Sequence, residues 1–122
     1  ALDRALTADD FNNGRTADEL RRSFENSYAT AIVGAGAEVI STARLLADGV
    51  CNAWLIDVWT ASSHRHRGIG SAVVQRLLER VPGHHVALFT EHAEDFYRQL
   101  GFEVERTGLS IVSGRWLNRP SA

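Results

Sequence analysis

A strand-like run, a short loop and an apolar helix pattern follow one another between residues 53 and 78, and their junction constrains the fold most. Residues 53–60 are rich in β-branched and aromatic side chains, and residues 69–78 repeat apolar side chains at helical spacing. Gly68 and Gly70 lie where the loop meets the helix, so a ligand could approach the backbone closely. Because a helix start carries unpaired N–H groups and a partial positive charge, this junction predicts an anion site suited to phosphate groups.

Other phosphate-binding loops fit the chain less well. Arg65 and Arg67 flank the junction and offer fork-shaped donors for phosphate oxygens. A P-loop is excluded, because its motif requires a lysine and the chain contains none. Gly34 and Gly36 follow an apolar run as in a dinucleotide-binding fingerprint, but Val39 stands at the third glycine position. This favours a hairpin turn and leaves a dinucleotide site as the weaker alternative.

The composition indicates a single globular domain without a membrane segment. A chain of 122 residues has room for one core, and 44% hydrophobic and 23% charged residues are ordinary values for a soluble protein. The sequence has no run of about 18 apolar residues and no signal-peptide pattern, so we expect a cytoplasmic protein with no membrane partner. A net charge of −2, with arginines spread along the chain, argues against nucleic-acid binding.

Helix and strand signals alternate along the chain in the order of an α/β fold. Thr16 and Glu19 form a capping-box pattern that predicts a helix over residues 17–27, whereas Thr7 predicts at most a short turn over residues 7–12. Short turns join the first three strand-like runs into an antiparallel meander, and a helix before the fourth makes it parallel to the third. We therefore expect a mixed, mainly antiparallel sheet of about six strands with helices on both faces. The predicted strands are residues 28–33, 37–47, 51–60, 85–90, 102–106 and 109–113, with a short helix over residues 93–100.

Two motifs, in the matching order, resemble those of the GCN5-related N-acetyltransferase (GNAT) superfamily. Residues 65–70 match R-x-x-G-x-G, the superfamily's pyrophosphate-binding loop after its fourth strand. Residues 93–102 match its later A-x-x-F-Y-x-x-L-G-F segment. The resemblance covers residues 16–113, which is most of the chain.

The resemblance implies a GNAT-like acyl-CoA N-acyltransferase fold in one domain over residues 1–122, with an N-terminal lead at 1–15 and a C-terminal tail at 115–122. Its central sheet would be mixed and mainly antiparallel, flanked by helices, with a V-shaped gap between the third and fourth strand-like runs. GNAT domains usually open with a strand. No convincing strand precedes Thr7, so the first strand of the superfamily pattern is missing here.

The resemblance also implies an activity and a co-substrate. GNAT enzymes move the acetyl group of acetyl-CoA to a primary amine by direct attack in a ternary complex, without a metal. Tyr97 would then be the general acid that protonates the departing thiolate, and a backbone N–H near Val58 could polarise the thioester carbonyl. The implied cofactor-binding residues are Val58, Trp59 and Thr60 along the pantetheine arm, Arg65, His66, Arg67, Gly68, Ile69, Gly70 and Ser71 at the pyrophosphate, and Thr90 and Phe96 on the other side of the arm.

Several parts of the expected reaction stay open. Asp57 and Glu91 are candidate bases, although each is more commonly a solvated or paired acid, and water could relay the proton instead. The amine acceptor would be a small molecule or a peptide, and a homodimer is left open. No metal is expected, because neighbours such as His64 and His66 lack a third ligand at zinc-site spacing. A catalytically silent GNAT-like module that binds CoA or a partner, and a protein for another phosphate ligand, are the alternatives.

Overall fold

The computed structural model describes residues 2–8 and 11–118, and the chain divides into two compact units, Ala1–Phe89 and Thr90–Ala122. The second unit holds the helix α4 (Glu94–Gln99) and a short 3₁₀ turn at Trp116–Asn118. The assignment of one domain stays a prediction. The first unit holds the helices α1 (Leu2–Ala8), α2 (Ala17–Glu25) and α3 (Ile69–Leu78), a 3₁₀ turn at Ser62–His64, and the strands β1 (Ala29–Ala35), β2 (Glu38–Ala47), β3 (Asn52–Thr60) and β4 (His85–Ala87).

The sheet of the first unit has four strands in the order β1-β2-β3-β4. The pairs β1–β2 and β2–β3 are antiparallel and the pair β3–β4 is parallel. The predicted α/β fold, with a mixed and mainly antiparallel sheet flanked by helices, is confirmed. The turn between β1 and β2 contains Gly36 with φ of +63°, so the glycines there form a hairpin and the dinucleotide alternative is wrong.

The core of the first unit lies on both faces of the sheet. Residues 40–43 of β2 are all buried, and because successive strand side chains point to opposite faces, both faces of β2 are covered. α3 contacts β1, β2 and β3 and buries Val73, Val74 and Leu77. A separate cluster packs α1 and α2 against β3 through Leu6, Leu20, Phe24 and Trp59.

The start of the chain differs from the sequence prediction in one respect. The capping box of α2 is confirmed, since Thr16 Oγ1 accepts from Glu19 N at 3.2 Å and Glu19 Oε1 accepts from Thr16 N at 2.9 Å. Thr7 and Ala8, expected in a short turn over residues 7–12, instead end the helix Leu2–Ala8, which the sequence did not predict. Leu6 is fully buried, and this packing favours a helix that local signals did not indicate. Asp9 and Asp10, part of the predicted turn, lie outside the described residues.

Three of the predicted strands are shortened or absent. β4 ends at Ala87 instead of residue 90. Its pairing with β3 ends at Ala87 as well. Residues 102–106 and 109–113 form no strand, so the expected sheet of about six strands is corrected to four over the residues that the structure describes. A strand is stabilised by its ladder and by burial of one face, whereas Leu109 and Ile111 are more than nine-tenths exposed. Residues 109–113 therefore have the apolar pattern of a strand without the ladder and the burial that would stabilise one.

Candidate functional site

β3 and β4 are parallel neighbours over a short length only. Their pairing ends at Trp54 of β3 and Ala87 of β4, while β3 continues to Thr60. Among the described residues, no strand lies beside β3 on that side beyond Trp54. A strand edge presents backbone N–H and C=O groups, and an extended ligand can pair with such an edge.

β3 carries one extra residue opposite β2 in this same stretch. Thr42 pairs with Trp59 and Arg44 pairs with Ile56, so the register shifts by one residue between the two pairs. Asp57 lies in this β-bulge with φ of +52°, a left-handed backbone that residues other than glycine rarely adopt. The bulge spans Asp57 and Val58, so it includes the first of the three residues expected along the pantetheine arm.

Two arginines bind the carboxylate of Asp57, and we call the three residues the Asp57 clamp. Arg15 forms a bidentate pair, with Nη2 to Oδ1 at 2.8 Å and Nη1 to Oδ2 at 2.9 Å, and Arg44 Nε donates to Oδ2 at 2.7 Å. The side chains of Arg15, Arg44 and Asp57 are 8%, 11% and 6% exposed. Burial works against the charge on Asp57, but the hydrogen bonds and charges of both arginines outweigh it and hold the pKa of Asp57 below its ordinary value. The sequence left Asp57 open as a catalytic base or as a solvated or paired acid, and the structure shows a paired acid.

Hydroxyl groups of β2 hold two backbone carbonyls of β3 near the bulge. Ser41 Oγ donates to the carbonyl oxygen of Trp59 at 2.8 Å, and Thr42 Oγ1 donates to that of Asp57 at 3.0 Å. Ser41 and Thr42 are fully buried, so these hydrogen bonds also satisfy their own polar groups. The shape of β3 at the bulge is thus supported through both its backbone and its side chain.

The loop from β3 to α3 bends back onto the end of the strand. Arg65 Nε donates to the carbonyl oxygen of Thr60 at 3.0 Å. His66 and Gly68 have φ of +65° and +77°, both left-handed. Arg65, His66 and Arg67 are exposed. The loop conformation therefore depends on its backbone, and its basic side chains lie at the surface.

α3 begins without a side-chain cap. Gly68 is its N-cap residue and makes no side-chain hydrogen bond, and Ala72 N donates to the carbonyl oxygen of Gly68 at 3.1 Å. The N–H groups of Ile69, Gly70 and Ser71 precede this helical hydrogen bond, and such groups have no partner within the helix. Together with the two nearby arginines they make a donor set that fits a pyrophosphate.

The second unit holds the remaining predicted site residues. Thr90 Oγ1 accepts from Ala93 N at 3.0 Å just before α4. Tyr97 lies in an aromatic cluster, with ring centroids 4.9 Å from Phe96 and 5.6 Å from Phe102. Tyr97 is buried, and this burial raises its pKa to about 12. Its phenol is therefore protonated at neutral pH.

Residues 58–60 and 65–71 both lie in the first unit, at the end of β3 and in the loop that leads into α3, and Arg65 contacts Thr60 across them. Thr90, Phe96 and Tyr97 belong to the second unit, and their share in the same site stays a prediction. Sequence reasoning missed Arg15 and Arg44. A usable signal existed for Arg44, because Arg44 and Asp57 are charged residues with apolar neighbours on both sides inside predicted strands.

Over residues 2–8 and 11–118, no group of three or more His, Cys, Asp or Glu side chains is placed to hold a metal ion. None of the described helices has the length and apolar character needed to cross a membrane.

Comparison with known proteins places the chain among acetyltransferases. The model of the acetyltransferase (GNAT) family matches residues 3–102. The chain therefore belongs to the GNAT family. Serotonin N-acetyltransferase 2, chloroplastic, of Oryza sativa subsp. japonica is 36% identical over an alignment of 100 residues that covers 75% of this chain and 50% of that protein. The chain spans half the length, or less, of the curated relatives that it matches.

Solved structures support the same fold. A GNAT family acetyltransferase from Streptococcus pneumoniae TIGR4 has a TM-score of 0.77 and 25% identity, with 93% of this chain and 89% of that chain covered. A structure from Clostridium acetobutylicum, described as a predicted acetyltransferase with acetyl-CoA, has a TM-score of 0.70 and 19% identity, with 91% and 87% covered. The second likeness concerns the fold alone.

Proposed function

We propose that this chain carries an acetyl-CoA-dependent N-acetyltransferase site that moves an acetyl group to a primary amine by direct attack in a ternary complex. The observation that carries the proposal is the continuous stretch from the bulged edge of β3 through residues 65–71 into α3. A strand edge suits the amides of a pantetheine arm, and an uncapped helix N-terminus suits a pyrophosphate. Membership in the GNAT family supports this combination.

Residues 58–60 would pair with the pantetheine arm, and residues 65–71 would bind the pyrophosphate. In the loop, the N–H groups at the start of α3 would donate to phosphate oxygens, while Arg65 and Arg67 would add positive charge. Gly68 is needed there for its left-handed backbone, since a Cβ at this position would meet no atom within 4 Å. Thr90 and Phe96 would line the other side of the arm.

The chemistry would need a carbonyl polariser and a proton donor from the chain. Bound acetyl-CoA would supply a thioester, whose carbonyl carbon bonds to the amine nitrogen as the C–S bond breaks and the thiolate takes a proton. A backbone N–H near Val58 would polarise the carbonyl oxygen, and Tyr97 would donate the proton to sulfur. A pKa of about 12 keeps this phenol protonated, but it is far from the optimum for proton transfer at neutral pH. Its contribution to the rate would therefore lie at the lower end of the ~10² to 10⁴-fold typical of general acid catalysis. Holding both substrates together would supply much of the remaining reduction in the activation free energy, up to ~7 to 11 kcal/mol.

The acceptor would be a small-molecule or peptide amine, in its neutral form. Its proton would pass to water or to Glu91, whose side chain is 91% exposed beside His92. We propose a cytoplasmic protein without nucleic-acid or membrane partners, with a homodimer left open. Among relatives, the rice protein is named as chloroplastic. A silent module that binds CoA without turnover is the second candidate, because the carboxylate of Asp57, one of the two candidate bases, is already paired with Arg15 and Arg44.

Binding and turnover can be tested separately. We expect acetyl-CoA at ~100 times its Kd to stabilise the fold by about 2.7 kcal/mol in a thermal unfolding experiment, with CoA similar and ATP much weaker. Thiol release is then followed with serotonin, a polyamine and a lysine-containing peptide as acceptors. Equal stabilisation by ATP, NAD and acetyl-CoA would reduce the loop to a general anion site. Binding of acetyl-CoA without turnover of any amine would favour the silent module.

A further inference from the structure

Asp57 lies beside the proposed acetyl-CoA stretch, where a proton acceptor would be sought, yet its oxygens are occupied. Oδ1 accepts from Arg15, and Oδ2 accepts from both Arg15 and Arg44, at 2.7 to 2.9 Å. A general base works best with a pKa near the working pH, whereas the pKa of Asp57 lies below its ordinary acidic value. Asp57 is therefore poorly suited to take a proton from an amine.

The two arginines of the clamp are themselves held by other elements. Arg15 Nε donates to the carbonyl oxygen of Asn12 at 2.9 Å, in the loop before α2. Arg44 Nη1 donates to the carbonyl oxygen of Ser23 at 3.1 Å and to Ser27 Oγ at 3.2 Å, at the end of α2. The clamp thus joins the bulge of β3 to β2 and to both ends of α2.

The bulge needs such support because its backbone is strained. A left-handed conformation at a residue other than glycine persists only where surrounding contacts hold it. At Asp57 the carbonyl is held by Thr42 and the carboxylate by the clamp. With the clamp weakened, β3 could relax toward a regular strand, which would change the course of residues 58–60.

We propose that Asp57, held by Arg15 and Arg44, is a positioning residue for acetyl-CoA. The clamp keeps the bulge in one shape and so fixes the backbone of residues 58–60, along which the pantetheine arm would lie. This inference rests on the function proposed above for that stretch. It gives Asp57 no part in proton transfer.

Arg15→Lys is the sharpest variant, because lysine keeps the positive charge but cannot form two parallel hydrogen bonds to a carboxylate. Asp57→Asn removes the charge with little change of shape. Arg22→Lys is the matched control, since Arg22 pairs with Asp18 at 3.1 Å in an ion pair that is about 60% exposed. Each variant is studied well below its melting temperature by NMR of the backbone amides without ligand and by calorimetry with acetyl-CoA. The pH profile of kcat/KM is added with an active amine.

We expect Arg15→Lys and Asp57→Asn to shift the amide signals of residues 58–60 and to weaken acetyl-CoA binding ~10-fold or more, with Arg22→Lys unchanged. The acid limb of the pH profile should keep its position. Unmoved amide signals with unchanged affinity would reduce the clamp to a stabilising role, and loss of the acid limb in Asp57→Asn at unchanged affinity would make Asp57 the base. Either result overturns the proposal. If Asp57→Asn does not fold, Arg15→Lys decides.

A separate result would mark failure of the proposed function. If the unmodified chain does not bind acetyl-CoA, that function is wrong, whatever the variants do. The amide signals of residues 58–60 in Arg15→Lys, recorded without ligand, would still show whether the clamp controls this backbone.

Discussion

At the bulge of β3, buried side chains hold the backbone in place, whereas in the loop before α3 the side chains of residues 65–67 are exposed. The clamp arginines and Asp57 are about nine-tenths buried, while Arg65, His66 and Arg67 are exposed. Both regions contain left-handed residues, Asp57 in one and Gly68 in the other. The difference predicts that substitutions at the bulge change stability and binding together, while substitutions in the loop change mainly binding.

The largest effect is expected from Asp57→Ala. It would leave two buried guanidinium groups without their carboxylate, and removal of one partner of a buried ion pair typically costs about 3 to 5 kcal/mol of unfolding free energy. Asp18→Ala is the control, because Asp18 pairs with Arg21 and Arg22 on the exposed face of α2, where such pairs contribute about 0 to 1 kcal/mol. Denaturant unfolding measures both. Equal losses of unfolding free energy in the two variants would contradict the idea that burial makes the ion pairs of Asp57 matter more than those of Asp18.

Acid should weaken the same region. Because the pKa of Asp57 is lower in the folded chain than in the unfolded chain, its stabilisation is present above the ordinary pKa of about 3.9 and is lost as pH falls through the folded value. Asp48 acts with the same sign, since the backbone N–H groups of Cys51, Val50 and Asn52 lower its pKa to about 2. Unfolding free energy is measured from pH 6 to pH 2, so that the range extends below the unfolded pKa of the two aspartates. A decline as steep in Asp57→Asn as in the unmodified chain would show that Asp57 is not the group responsible.

Tyr97→Phe extends the comparison to the second unit, where a side chain is proposed to act chemically. Loss of a proton donor should lower kcat by about 100-fold, which corresponds to ~2.7 kcal/mol, at nearly unchanged acetyl-CoA affinity. Tyr28→Phe is the control, because Tyr28 is the other tyrosine and is 44% exposed. Steady-state acetylation and calorimetry give the two quantities. An unchanged kcat, with chemistry rate-limiting, would leave Tyr97 a packing residue.

Gly68→Ala should have a smaller effect on stability than Asp57→Ala and a selective effect on binding. A left-handed alanine costs about 1 to 2 kcal/mol. Gly83 offers a matched control, since Gly68 and Gly83 share φ of +77° and a Cβ at either would meet no atom within 4 Å. Gly68→Ala and Gly83→Ala should therefore lose similar stability, while only the first weakens acetyl-CoA binding. Equal affinities in the two variants would count against the loop as the pyrophosphate site.

Local patterns were enough for the elements that carry their own signals. The capping box of Thr16 and Glu19 and the meander of β1, β2 and β3 were predicted from neighbouring residues. α1 was missed because its stability depends on burial of Leu6 against distant residues. Residues 109–113 have a strand pattern, but a pattern cannot supply a partner strand.

The candidate site likewise has a part that local sequence predicts and a part that depends on distant contacts. Gly68 and Gly70 are recognisable from spacing because a helix start after a glycine is a local feature. The bulge at Asp57 is not local, since it depends on the register with β2 and on Arg15 from another part of the chain. Arg44 and Asp57, each between apolar neighbours inside a strand, could have suggested a buried pair, but nothing in the sequence pointed to Arg15 as its third member.

The most direct test of the account is to map acetyl-CoA onto the chain by NMR. Amide signals are followed as acetyl-CoA is added to a nitrogen-15-labelled sample, with ATP added to a second sample. The account predicts that signals of residues 58–60 and 68–71 move most with acetyl-CoA, and that ATP leaves those of residues 58–60 in place. The largest changes falling instead on the groove lined by Thr30, Ile32 and Arg76, between β1 and α3, would contradict it.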